Sequence, residues 1–466
     1  MEPCHSDQPH FVTVNKENDE SLLNALAMNK INKLKSSKKK VPPMKPHDVV
    51  IAGCGMAGAL AGLTALKKNL TVCIVEKNKR EYIGKKICGE LMTQKSRDWL
   101  KNEFNLSITS YPLKGLEICS SSGHKVHVPI PLCTIDRWKV GQTMLQKVLT
   151  EGAEVTCKTV KGPLGEPVKG VKTKDTTIHS TVTIDCSGVA SVLRRTFTPG
   201  EPAFLGVAYK ENLILKEPVT TDYALLMFDK NVIPAGYVWC FPKSEYEVNV
   251  GAGGLVRGKA FLKKILEKAV KTLGITVKRR EFPGFGVVPL GRPLPSLVYP
   301  GLLVCGDAAS QVNPLTGEGI APALKAGYLA GKVAAEAVAN DDISVEGMWK
   351  YNCDFAREYG ATHASLFVAR NFLVSLSGEE LTYFLRSIVT GDDLSQLLQE
   401  GTAHKGMKKV VAFLKNWRRP RLLYRMYAVL ILMNEIKRLY TYYPETPEGF
   451  SVWQQNLDYY LKKGRY

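Results

Sequence analysis

At 466 residues the chain exceeds the usual size of one hydrophobic core, so two or three interlocked units with room for a large ligand between them are expected. No run approaches the roughly 18 to 20 uninterrupted apolar residues needed to cross a bilayer, which argues against an integral membrane protein. Lys and Arg number 63 against 44 Asp and Glu, and the resulting charge of +19 calls for an anionic partner or surface. None of the eleven cysteines forms a CxxC pair or sits in a His-flanked cluster, so the spacing argues against a disulfide framework or a metal site and for the reduced thiols of a cytosolic protein.

Residues 1–46 begin polar and then carry seven lysines between Lys30 and Lys45 without an acid. The absence of an apolar signal region, and of arginine before Arg80, speaks against a secretory or mitochondrial leader. A solvated, disordered extension is the plain expectation; a localisation signal or a contact with an anionic surface is the other. The first ordered element is expected at "DVVIAGCGMAGALAGLTALKKNLTVCIVEK", a strand, a Gly53-x-Gly55-x-x-Gly58 turn, a helix and a second strand ending at Glu76 and Lys77. Gly53 allows the tight turn, Gly55 and Ala57 let a pyrophosphate approach the backbone at the helix start, and Gly58 allows close helix packing. Glu76 can accept from both hydroxyls of an adenosine ribose and repels a 2′-phosphate, so FAD or NAD fits and NADP does not.

Downstream, "GKKICGELM" carries Cys88 and Gly89, and "TIDRWKVGQTML" places Arg137 at a helix start. Taken alone, these lysines read as solvated, Cys88 as a small buried filler and Arg137 as a surface charge. "TVTIDCSGVASVLRR" is a strand ending in Asp185, followed by Gly188, a pattern that suits a ribose or phosphate approached by backbone. In "PAGYVWCFPK", Tyr237 and Trp239 at i and i+2 of a strand project to one sheet face. "PGLLVCGDAASQVNPLTGEGI" repeats the strand-then-turn theme with Gly306 and Asp307, and its Gly317-Glu318-Gly319-Ile320 turn opens a helix whose amides could face a ligand.

The C-terminal part, 346–466, reads as helical. Between Glu400 and Glu435 there is no acid, while Lys405, Lys408, Lys409, Lys415, Arg418, Arg419, Arg421 and Arg425 supply eight positive charges. Met407, Val410, Val411, Leu414 and Trp417 recur at helical spacing, Pro420 interrupts, and a second apolar helix follows. Such a segment fits an interfacial helix on an anionic bilayer or a helical subdomain packed on the body. No nucleic-acid partner is expected, because no recognisable binding fold accompanies the charge.

Together these motifs resemble the flavoprotein superfamily with the p-hydroxybenzoate hydroxylase fold, and more narrowly the geranylgeranyl reductase family, over roughly residues 48–340. The resemblance implies an α/β (α+β overall) architecture: a Rossmann-like discontinuous FAD-binding domain (47–114, 135–200 and 286–345), a β-sheet substrate domain (115–134 and 201–285) and a helical C-terminal region. It implies that Gly53, Gly55, Gly58 and Glu76 bind the ADP half of FAD, Arg137 lies near its phosphates, and Asp307 contacts the ribityl chain. Gly317 to Ile320 would lie against the flavin ring, with Cys88 and Gly89 beside it at the substrate face. Tyr237 and Trp239 would shape an apolar tunnel, and Cys88 is the candidate catalytic group beside the flavin. The implied activity is saturation of isolated double bonds of a polyprenyl chain on a lipid, by protonation and hydride transfer, with NADPH or reduced ferredoxin as electron donor. An acidic donor protein, the prenylated lipid and an anionic membrane surface are the implied partners of a cytoplasmic, peripherally bound enzyme. A flavin-dependent halogenase or monooxygenase of the same fold is the alternative; Tyr237 standing where the halogenase signature has its first tryptophan counts against the halogenase.

Overall fold

In a computed structural model, residues 46–120, 122–199, 204–256, 258–401 and 419–463 are described. The Lys-rich extension and the helical pattern from Met407 to Trp417 lie outside them. Three sheets organise the rest. The first has strand order β17-β18-β11-β1-β2-β8, with β9 and β10 joined to it through β11. Its parallel core is β1 (His47–Ala52), β2 (Val72–Glu76), β8 (Glu154–Cys157), β11 (Thr177–Asp185) and β18 (Leu302–Val304); β9 (Val160–Pro163), β10 (Gly170–Thr173) and β17 (Val298–Tyr299) pair antiparallel. The near-continuous apolar runs of β1, β2 and β18 follow from burial on both faces.

Helix α1 (Met56–Leu66) follows β1 through a turn in which Gly53 has φ +106, and a side chain there would meet the carbonyl of Cys186 at 2.4 Å. Helices α2 (Gln94–Phe104) and α3 (Arg137–Thr150) come next, each capped by a side chain, Thr93 and Asp136. α3 packs on α1, and the later helix α5 (Ile320–Ala339) lies along α1. Its Gly327 and Gly331 leave no room for a Cβ, which would stand 2.2 Å from the Ala57 carbonyl and 2.6 Å from that of Ala61. Small residues on both helices bring the two backbones into contact.

The second sheet has order β16-β12-β15-β14-β13-β5-β6. Its strands are β5 (Gly115–Ser120), β6 (Lys125–Val128), β12 (Leu205–Leu215), β13 (Tyr223–Phe228), β14 (Gly236–Ser244), β15 (Glu247–Gly254) and β16 (Val277–Pro289). Alternation along β14 sends Val238 and Cys240 to the face covered by α4 (Lys259–Thr272), and Tyr237, Trp239 and Phe241 to the other. A small third sheet of β3 (Leu91–Thr93), β7 (Leu132–Ile135) and β4 (Ser110–Leu113) links the two larger ones.

The C-terminal region is helical, as its pattern predicts. α6 (Lys350–Phe355) runs through a π-helical turn, Ala356–Gly360, into α7 (Ala361–Ser375). α8 (Gly378–Ser387), α9 (Gly391–Glu400), α10 (Pro420–Thr441) and α11 (Phe450–Lys463) complete it, with capping boxes starting α8 and α9. α7 and α10 pack together in the core that also holds Trp239 and Phe241.

His363 on α7 is 2% exposed, and its Nδ1 has no hydrogen-bond partner among the described residues. Burial pushes the imidazole from 6.5 down to about 3. It is therefore neutral in the fold, while the unfolded chain takes up a proton below pH 6.5, so stability is lost as pH falls from 6.5 toward 3. The expected loss is about 2 kcal/mol between pH 6.5 and roughly 5. In His363→Phe the slope of unfolding free energy against pH should flatten over that range; urea titrations with parallel slopes for both proteins would contradict this.

Candidate functional site

The crevice lies at the carboxyl ends of β1, β2, β11 and β18, where an open parallel sheet presents loops and helix starts. The Gly53 amide donates to Val75 O at 2.8 Å, and the Cys54 amide donates to Glu76 Oε2 at 2.8 Å. Glu76 is 8% exposed, and its other oxygen accepts from the backbone and side chain of Asn78. The glycine loop and the strand-end acid are thus tied together. Beside Gly55, where a Cβ would point, nothing lies within 4 Å, and the same holds for Gly188 at φ +72. Gly306, at φ +65, sits against Ala57, so the early loop and the late segment meet directly. Lys77 is exposed just past the strand end.

Asp185 corrects its sequence reading. It is fully buried, and its two oxygens accept from the amides of Ser187, Leu193 and Arg194 at 2.9 to 3.0 Å. The carboxylate shapes its own turn rather than presenting itself to a ribose. The turn in turn reaches the late segment, because Ser191 Oγ and Arg194 Nε both donate to Ala308 O.

Arg137 is not the surface charge it resembles in isolation. It is 7% exposed at the start of α3, its Nη1 has no partner among the described residues, and Cys88, Asp307 and Glu90 are its electrostatic neighbours. Lys86 is likewise no idle loop lysine: its Nζ lies 2.5 Å from Asp307 Oδ2. A buried guanidinium with an unused N–H and two open glycine cradles are what the phosphates of a dinucleotide require, so these residues fit one.

Around Cys88 the fold builds a wall. Tyr237, Trp239 and Phe241 form a ladder with ring centroids 6.2 and 6.3 Å apart, and Phe228 joins at Tyr237. Gly89 packs on this wall, with Phe241 Cε2 only 3.0 Å from where its Cβ would be. Gly251 on β15 has to be glycine, because a Cβ would stand 2.1 Å from the Trp239 ring. Tyr237 Oη donates to Thr316 O and touches Gly317, itself at φ +71, which brings the β14 aromatics against the late turn. Burial raises the Cys88 thiol above its ordinary value, partly offset by Arg137, and pushes Tyr237 up to about 12. Glu318 Oε1 accepts from the Ala321 amide at 2.8 Å, capping α5, whose first residue is Ile320.

Behind the wall lies a charged network with no sequence signal of its own. Glu90, at φ +63, accepts from Lys243 Nζ at 2.6 Å, from Asn249 Nδ2 at 3.0 Å and from the Arg137 amide at 3.1 Å. Asn249 also accepts from Trp239 Nε1 at 2.9 Å and donates to Cys88 O at 3.0 Å. Lys210 and Glu247 extend the network through Asn212. Only Phe241, two residues beyond Trp239 on the same face, was within reach of the alternation argument.

A sequence profile described as "Lycopene cyclase protein" matches residues 48–390. A digeranylgeranylglycerophospholipid reductase of Methanosarcina acetivorans is 30% identical over 72% of this chain and 86% of its own length. The chain belongs to the lycopene cyclase protein family and to that of the digeranylgeranylglycerophospholipid reductases. The reductase of the same name from Sulfolobus acidocaldarius is 28% identical over 88% of this chain and 96% of its own. Among solved structures, a geranylgeranyl bacteriochlorophyll reductase-like protein from Thermoplasma acidophilum is similar, with TM-score 0.70, 24% identity and coverage of 82% of this chain and 99% of that one. A flavin-dependent brominase follows at TM-score 0.56 and 19% identity, covering 90% of this chain and all of that one, a likeness of fold. The reductase family's member here carries its aromatic wall on Asn249.

Asn249→Ala should leave Trp239 Nε1, the Cys88 carbonyl and Glu90 each short of a partner, at about 1–3 kcal/mol per buried group. The expected result is a lower thermal midpoint and altered tryptophan fluorescence. Asn249→Asp should restore the acceptor for Trp239 while setting a carboxylate against Glu90, and an unchanged midpoint in both variants would refute the role of this side chain.

Proposed function

We propose that this protein is an FAD-dependent oxidoreductase acting on CH–CH groups, saturating isolated double bonds of a geranylgeranyl or related polyprenyl chain carried on a lipid. The observation that carries this is the aromatic wall Tyr237-Trp239-Phe241, seated against Cys88-Gly89 on one side and the Gly317 turn on the other. Family membership and the names of the relatives support the same reading. The residues divide as follows: Gly53, Gly55, Ala57, Gly58 and Glu76 hold the adenosine half of FAD, and Arg137 and Gly188 meet its phosphates. Asp307, placed by Lys86 and the Gly306 turn, receives the ribityl hydroxyls, and Gly317 to Ile320 back the ring.

Bound there and reduced by the electron donor, the flavin would supply the hydride. An isolated alkene is electron-rich, so a proton must be added as the hydride arrives, with positive charge growing at the more substituted carbon. Trp239 and Phe241 present ring faces to that charge and exclude the water that would trap it. The Cys88 thiol, kept protonated by burial, borders the same space.

NADPH or reduced ferredoxin is the electron donor on this reading, and the charge of +19 suits an acidic carrier. No helix among the described residues is long and apolar enough to cross a membrane. A peripheral position on a membrane surface is supported by α10, which exposes Tyr424, Tyr427 and Ile431 at helical spacing with Arg421 and Arg425 on the same helix. No observation in this structure favours the halogenase alternative over the reductase.

Dithionite-reduced protein given geranylgeranylated lipid should yield products heavier by two mass units per reduced double bond; no gain with any prenyl lipid would refute the reading. Glu76→Ala should weaken FAD retention by about ten- to a hundredfold, the worth of a charge-assisted hydrogen bond, measured as flavin lost on gel filtration. In flotation with vesicles rich in anionic lipid, a Tyr424→Ser, Tyr427→Ser, Ile431→Ser variant should bind several-fold less than the wild type, and equal flotation would show that α10 does not face the bilayer.

A further inference from the structure

Alkene reduction consumes one proton for each hydride, and in a site that excludes water a side chain can hold that proton ready. Five acidic groups adjoin the aromatic wall and the late turn, Asp307, Glu90, Tyr237, Cys88 and Glu318, while Glu76 and Asp185 at the strand ends already accept hydrogen bonds at both oxygens. Asp307 is 2.5 Å from Lys86 Nζ and Glu90 is 2.6 Å from Lys243 Nζ, so each is engaged in an ion pair. Tyr237 commits its hydrogen to Thr316 O, and burial makes it a weaker acid still, near 12. The Cys88 thiol is also weakened by burial.

Glu318 differs from all four. No ion pair reaches it among the described residues, and its bonds are backbone amides at the start of α5. It sits between Gly317, which touches Tyr237 Oη, and Gly319, whose Cβ position is 3.9 Å from Asp307 Oδ1. Glu318 is half-buried, as Cys88 and Tyr237 are, on the turn that meets the aromatic wall through Tyr237. Tyr359, on the π-helical turn, is its electrostatic neighbour, and the adjacent Glu358 pairs with Lys325 at 3.4 Å. π turns inside α-helices recur at functional sites.

We propose that Glu318 is the acid of the reaction: its carboxyl proton passes to the less substituted alkene carbon, the π electron pair forming that C–H bond. The tertiary centre then accepts the hydride supplied by reduced flavin, which is thereby oxidised, and Glu318 is left as a carboxylate that regains its proton from water. This rests on the reductase reading above. Burial pushes this carboxyl up to about 7, so a substantial share carries its proton at neutral pH, and it is a far stronger acid than the phenol. Tyr359 is the titratable side chain that senses its charge; Glu358, paired with Lys325, adjoins Tyr359 in sequence, and Tyr237 and Asp307 with Lys86 adjoin the glycines on either side of Glu318.

Two measurements test this on the full chain. Infrared difference spectra against pH, wild type minus Glu318→Gln, should show a protonated carboxyl band that disappears as pH rises through neutrality; titration only in the ordinary carboxylate range would overturn the assignment. Single-turnover reduction of geranylgeranylated lipid by the dithionite-reduced wild type should slow as pH rises through the same range. Glu318→Gln keeps the acceptor that caps α5, and should retain flavin while reducing the alkene roughly 10²–10⁴-fold more slowly and without that pH dependence. Glu318→Asp should recover part of the rate. A wild type active on prenyl lipid with an equally active Gln variant removes the assignment alone. A wild type inactive on every prenyl lipid removes the reductase reading and the assignment with it.

Discussion

The site depends on the backbone contact between α1 and α5. Where Gly327 and Gly331 meet Ala57 and Ala61, no side chain separates the helices, and the two turns that open them, at Gly55 and at Gly317 to Gly319, are held in a fixed relation. Gly306 against Ala57 makes the same junction at the strand ends. A ligand as long as a flavin dinucleotide needs more than one helix terminus. The chain supplies them from opposite ends of its sequence, and the price of their registry is a stripe of small residues that tolerates no enlargement.

On the other side of the crevice the constraint is electrical. Glu90, Lys243 and Lys210 are almost wholly buried, and charges taken out of water destabilise unless each is paired and hydrogen-bonded. Here Asn249 closes the accounting by serving Trp239, Cys88 and Glu90 at once. The consequence is mechanical: the indole of the wall, the Cys88 loop and the start of α3 cannot shift independently. A rigid wall is what an apolar chain needs if one double bond after another is to be held at the same point.

The same fold also carries halogenating enzymes, and the backbone likeness to a brominase does not discriminate between the chemistries. The aromatic wall of this chain is built locally. Gly251 leaves room for the Trp239 ring, Gly89 for Phe241, and Tyr237 reaches across to the late turn. These residues form an apolar surface on β14 and β15, apart from the glycine loop and strand ends of the crevice.

Much of this was legible in the chain itself. The Gly53 to Gly58 loop with Glu76, the strand ends at Asp185 and Asp307, the Gly317 to Ile320 turn and the β14 alternation all follow from local chemistry: turn geometry, strand periodicity and helix starts act over a few residues, so their patterns are written in order. What local chemistry leaves open is which polar groups find partners. Lys86 stays exposed yet pairs with Asp307, 221 residues away, Arg137 reads in isolation as a surface charge but is buried at the start of α3, and Asp185 has both oxygens claimed by three amides of its own turn. The Glu90–Asn249–Lys243 network spans more than 150 residues, and no local rule selects it. Sequence determined which segments could bind and which face each strand offers; burial, and with it which charges are paired, which proton is held and which side chain is free, was decided only when distant segments packed together and removed the water between them.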